Sequence, residues 1–97
     1  MPPVDVKPWV VDDVARALNS RNPSSSRLVR DQVLFDLHNH LPLNLALYQP
    51  KRIPRNPGCF RYERTYANDR MLQFFSFVVR DTDPAYLEVI WVVATPP

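Results

Sequence analysis

The residues most able to do chemistry lie in one block: Lys51, Arg52, Arg55, Arg61, Arg64 and Arg70 within twenty positions, against only Glu63 and Asp69. The rest of the chain is balanced, because residues 1–50 carry five basic and five acidic groups and residues 71–97 carry Arg80 against Asp81, Asp83 and Glu88. The net charge of +2 is therefore a local feature. Lysine and arginine side chains bind phosphates without regard to sequence, and Phe60, Tyr62 and Tyr66 among them supply rings that stack on bases if exposed. A second reading is that charged residues on a strand discourage edge pairing, and alternation favours a core position for Phe60 and Tyr62.

Other candidates carry less. His38 and His40 are two apart, which on a helix sets them about 200° apart, so they cannot share one metal ion there. Cys59 is the sole cysteine. It has no identifiable base partner and reads as a small buried hydrophobe. One cysteine makes neither an intrachain disulfide nor a cysteine metal cage. Gly58 is the only glycine, which excludes a glycine-rich phosphate loop. Ser24 to Ser26 read as a helix cap.

The elements that must position the basic block follow from patterning. A chain of 97 residues with 45% apolar and 23% charged residues fits one domain with one core. Weak alternation over Val4 to Val10 is compatible with a first strand, which Pro8 confines to an edge or ends. Val10, Val14, Ala17 and Leu18 have helical spacing, predicting a short helix to about Asn19. Beyond the Asn22–Ser26 turn and cap cluster, Val29, Val33, Leu37 and Leu41 form one stripe of a second helix. Arg27, Arg30, Asp31 and Asp36 are expected on its solvated faces. Pro42 should stop or sharply bend this helix, with Leu43 to Tyr48 following either as a turn of helix or as an extended segment. Pro50, Pro54 and Pro57 predict an irregular, stiff basic connection as far as Gly58.

From there the texture is that of strands, at Cys59 to Tyr66, Met71 to Arg80 and Tyr86 to Ala94, joined closely enough to form an antiparallel meander. In the first of them Phe60 and Tyr62 share the core face, and Arg61 and Glu63 share the other. The last strand is expected to set Leu87, Val89, Trp91 and Val93 on one face. Trp9, Trp91 and the phenylalanines at 74, 75 and 77 read as core. The fold class is α+β, two helices on a small antiparallel sheet.

Pro57-Gly58-Cys59-Phe60-Arg61-Tyr62-Glu63-Arg64, followed by Arg70-Met71-Leu72-Gln73-Phe74, resembles the basic strand, tight turn and arginine-opened next strand of the RelE/ParE superfamily of bacterial toxins. With the element order, the resemblance covers about residues 4–94. It implies the toxin component of a toxin–antitoxin pair, a ribosome-dependent endoribonuclease that cuts messenger RNA through the 2′-hydroxyl and needs no metal or other cofactor. On that resemblance Arg61 and Arg70 stabilise the phosphorane-like transition state and Glu63 serves as general base, with Lys51, Arg52, Arg55 and Arg64 holding RNA. The expected partners are an antitoxin protein and the ribosome with its message. Relatives that cut RNA usually end the last strand on an arginine or histidine, whereas this chain ends Ala94-Thr95-Pro96-Pro97. Tyr62, Tyr66 or His40 replaces the acid only if the fold brings one near. The alternative is a non-enzymatic binding module, either a ParE-type inhibitor of DNA gyrase or a small phage or host protein that binds another protein. No run of about 18 apolar residues is present, and Asp5, Asp12 and Asp13 break any signal-peptide pattern, so a cytoplasmic location with no membrane partner is expected.

Overall fold

The structure is a computed structural model and describes residues 3–21, 23–68, 71–83 and 86–95. Its elements run β1 Val4–Val6, α1 Pro8–Arg21, α2 Pro23–Leu47, β2 Lys51–Ile53, β3 Asn56–Asn68, β4 Met71–Asp83 and β5 Tyr86–Thr95. The strands form one sheet in the order β1-β5-β4-β3-β2. The three long strands make the expected antiparallel meander, while β1 lies parallel to β5, with Val4 opposite Leu87. The two helices pack on one face of this five-stranded mixed sheet, an α+β fold.

Lys7 closes the step from strand to helix. Its carbonyl accepts from the amides of Val10 and Val11 at 3.0 and 3.3 Å, and Pro8 opens the helix where a missing N–H costs nothing. The apolar stripes then meet the sheet as their spacing requires. Val10, Val14 and Leu18 of α1 and Val29, Val33, Leu37 and Leu41 of α2 are fully buried against Phe60, Tyr62, Phe75, Phe77, Val79, Leu87 and Val89. At the turn between the helices the Ser26 hydroxyl donates to Asn19 Oδ1 at 2.6 Å.

The fold settles one open expectation and departs from several others. Helix α2 runs through Pro42 to Leu47, the helical one of the two continuations left open beyond Pro42. Proline removes one backbone donor, but Pro42 and its neighbour Leu41 are buried, and that packing holds the helix together across the gap. The basic connection is not irregular. Lys51–Ile53 is an edge strand paired with β3, and only Pro54 and Arg55 form the turn. Prolines at the ends of a short edge strand leave its ladder intact.

Strand β5 carries a bulge. Val79 pairs with Val89 but Val78 with Trp91, so Ile90 is extra and the alternation changes phase. Leu87, Val89 and Val92 therefore face the helices, while Trp91 and Val93 turn to the opposite face and are about half exposed. Trp9 is also on the surface, capping the bulge by donating its Nε1 hydrogen to the Ile90 carbonyl at 2.7 Å. Phe75 and Phe77 are core as expected, and Phe74, on the opposite pleat, is half-buried. Finally, Asp36 is buried, not solvated. Among the described residues, no helix is long and apolar enough to cross a membrane.

Candidate functional site

Strand β3 sorts the basic block between two faces. Phe60, Tyr62, Arg64 and Tyr66 point to the helix side, and Arg61 and Glu63 to the open side, beside Lys51, which lies opposite Arg61 on β2. Lys51 Nζ is 3.7 Å from Glu63 Oε1, and Arg61 Nη1 donates to Ser76 Oγ across the ladder at 3.3 Å. Strand β2 covers β3 only as far as Arg61, and Pro50 ends it. Where it stops, the chain leaves a cleft of about 210 Å³ at the sheet edge, lined by Lys51, Arg61, Glu63 and Arg64 together with the amides of Asn44 and Gln49.

Four of the seven sequence-predicted site residues thus come together. Arg52 does not join them. Its guanidinium is 3.2 Å from Asp81 Oδ2 and sits over the Phe60 ring at 5.3 Å from the centroid, where it covers the sheet edge. Arg55 is exposed in the β2–β3 turn, away from the cleft. Arg70 lies outside the described residues. The cleft can bind an anion: Lys51, Arg61 and Arg64 border it, Arg61 from the open side of β3 and Arg64 from the helix side, and the Asn44 and Gln49 amides can hydrogen-bond a polar group beside them.

Behind Arg64 is a cluster built on Asp36, which the sequence reading placed in solvent. Asp36, only 4% exposed, accepts from the Tyr62 hydroxyl at 2.7 Å, from Arg64 Nε at 3.0 Å and from the Tyr66 hydroxyl, and His40 Nδ1 lies 3.2 Å from its Oδ1. No protein-family model, curated protein or solved structure matches this chain. The cluster's role is therefore read from its geometry. Burial, reinforced by the hydrogen bonds to Asp36, pushes the Tyr62 and Tyr66 hydroxyls far above the usual tyrosine range, so both stay protonated donors. Burial works against the charge of Arg64, but the carboxylate of Asp36 outweighs it and its pKa is raised.

The fold does gather Tyr62, Tyr66 and His40, but around Asp36 on the helix side. Both tyrosine hydroxyls are engaged there, so neither is available as an acid for Arg61 and Glu63. Two signals in the sequence pointed to this cluster: the i,i+4 spacing of Asp36 and His40, and Tyr62, Arg64 and Tyr66 sharing one strand face.

Arg64 also borders a second, larger hollow of about 470 Å³ between α2 and the edge of β3. It is walled by Leu28 and Phe35 and floored by Asp36, His40 and Tyr66. The open face of the sheet, finally, carries a strip of Leu72, Trp91 and Val93, each about half exposed, with Phe74 and Val78 between them.

Proposed function

We propose that this chain is a toxin of RelE/ParE character that binds RNA in the Lys51–Arg61–Glu63–Arg64 cleft and cuts ribosome-bound message by transesterification without a metal. The observation that carries the reading is that Lys51, Arg61, Glu63 and Arg64 all border a single cleft at the sheet edge, with Lys51 Nζ 3.7 Å from Glu63 Oε1. In this scheme Glu63 takes the 2′-hydroxyl proton, the resulting oxygen attacks phosphorus, and Arg61 with Lys51 stabilises the charge gathering on the phosphate oxygens. The bond to the 5′-oxygen breaks, and that oxygen takes its proton from water reaching the open cleft. The products are a 2′,3′-cyclic phosphate and a 5′-hydroxyl. The test is incubation of the protein with ribosomes programmed with a defined message. Cleavage that Glu63→Gln and Arg61→Ala each suppress supports the reading; no cleavage by the wild type refutes it.

A second reading rests on the exposed strip of Leu72, Trp91 and Val93, since apolar residues grouped on an uncovered sheet face suit a protein partner. On that reading the domain binds without catalysis, to DNA gyrase or to another protein. Inhibition of gyrase supercoiling that persists in Glu63→Gln and is lost in Trp91→Glu favours it over the nuclease. In the first reading the same strip is where an antitoxin would hold the toxin inactive in the cytoplasm.

A further inference from the structure

The two hollows share Arg64, and their linings differ in kind. The smaller is charged, with Lys51, Arg61 and Glu63. The larger is apolar and aromatic: Phe35 is 61% exposed, and its ring meets His40 edge-on with centroids 5.9 Å apart. Phe35 lies outside the core cluster and, with Leu28 exposed beside it in the same hollow, makes an uncovered apolar wall. Asp36 fixes the wall between the hollows. It holds Arg64 by Nε, so the two terminal nitrogens of the guanidinium are left to face a ligand. Asp31 also borders the larger hollow, with Arg30 Nε 3.9 Å from its carboxylate.

We infer that the two hollows are adjoining subsites for single-stranded RNA, a phosphate lying on Lys51, Arg61 and Arg64 while the neighbouring base stacks on Phe35 in the larger hollow. This rests on the reading of the cleft as an RNA site and specifies its substrate as unpaired. A nucleotide repeat joins an anionic group to a flat ring at short range, and single-strand sites combine a basic groove with aromatic platforms for that reason. A base paired in a duplex has no free face to offer Phe35.

The experiment measures binding of a fluorescein-labelled single-stranded RNA, 2′-O-methylated so that it is not cut, by anisotropy across a salt series. Phe35→Ala should weaken binding about tenfold. It should leave the slope of log Kd against log salt unchanged, because no phosphate contact is removed. Phe35→Trp should restore affinity, and Arg61→Ala should lower the slope by about one. The same RNA annealed to its complement should bind equally to wild type and Phe35→Ala. Wild-type binding that Arg61→Ala weakens and Phe35→Ala does not would overturn the base subsite and leave the cleft as a phosphate site. Absence of salt-sensitive RNA binding by the wild type would overturn the cleft reading itself. Since Phe35 is on the surface, its replacement does not threaten the fold.

Discussion

Replacing Asp36 by alanine should be among the most damaging single changes available to this domain, although the residue is polar and sits on a helix. Three donors converge on its carboxylate, with His40 Nδ1 3.2 Å away, and two of the donors belong to Tyr62 and Tyr66, residues only 4% and 8% exposed. A hydrogen bond to a charged group contributes about 1.5–3 kcal/mol, and a buried hydroxyl left without a partner costs about 1–3 kcal/mol. The Arg64 and His40 side chains are 42% and 55% exposed, so water replaces much of what they lose and their share is small. The two tyrosines alone put the loss at about 3–6 kcal/mol, or a fall in Tm on the order of 12–48 °C for a domain of this size.

Urea unfolding followed by tryptophan fluorescence, with circular dichroism for Tm, reads this directly. The decisive comparison is a cycle with Tyr66→Phe. In the wild-type background that change removes a good hydrogen bond and should destabilise by about 1.5–3 kcal/mol. In the Asp36→Ala background it removes an orphaned hydroxyl and should be neutral or stabilising. If Tyr66→Phe costs the same in both backgrounds, or if Asp36→Ala melts within a few degrees of wild type, the carboxylate is not the hub described here.

The same cluster sets an alkaline limit. The hydroxyl pKa values of Tyr62 and Tyr66 are raised in the folded state, so the stability they confer is complete below the unfolded tyrosine value, about pH 10, and is lost as pH rises beyond it. Unfolding at high pH should coincide with their ionisation at 295 nm, and the double Tyr62→Phe, Tyr66→Phe variant should lose that dependence. At the other edge of the sheet Lys7 bridges Asp5 and Glu88 at 2.6 and 3.2 Å, and both carboxyl pKa values are lowered, Asp5 chiefly by Lys7 and Glu88 chiefly by Arg80. That contribution is present above the unfolded carboxylate range and is lost as pH falls through the lowered values. In carboxyl NMR titrations Lys7→Ala should raise Asp5 more than Glu88, and Arg80→Ala should raise Glu88 alone. Gly58→Ala should be neutral or stabilise by about 0.4–1 kcal/mol in urea melts, because its φ is not positive and a Cβ there would meet only Asn56 Oδ1 at 3.7 Å.

What could be read in advance was whatever repeats. The four-residue rhythm of Val29, Val33, Leu37 and Leu41 named the buried stripe of α2 correctly, and the alternation of Phe60 and Tyr62 against Arg61 and Glu63 named both faces of β3. Departures from rhythm were not legible. A single extra residue, Ile90, inverts the pattern beyond it, and no local signal distinguishes that position in a strand of near-continuous apolar residues. Proline misled at the basic connection and left the chain beyond Pro42 open for a shared reason: its cost is local, whereas burial of Pro42 and pairing of Lys51–Ile53 are settled by the rest of the molecule. Asp36 was misplaced because a carboxylate beside an apolar stripe is ordinarily solvated, and its donors lie 26 to 30 residues further along the chain. The charged cleft was half legible. Sequence proximity gathered its cations, but only the end of β2 at Arg61 separated Lys51 from Arg52 as neighbours of the site.

The parallel pairing of β1 with β5 also dictates an order of events during folding. The Asp5 carboxylate meets the Tyr86 hydroxyl, and Trp9 meets Ile90, each across 81 positions of chain. Contacts so remote must close a very long loop before they contribute anything, and topologies built on them fold slowly. The β3–β4 hairpin and the pair of helices need no such closure. A ribosome emitting this chain therefore releases first a helical hairpin with a dangling β1, then a partial sheet whose β4 edge is bare. Strand β5, which follows them in the chain, seals that edge and gives β1 its place, so whatever binds the exposed β4 edge before β5 is made decides whether the domain is completed.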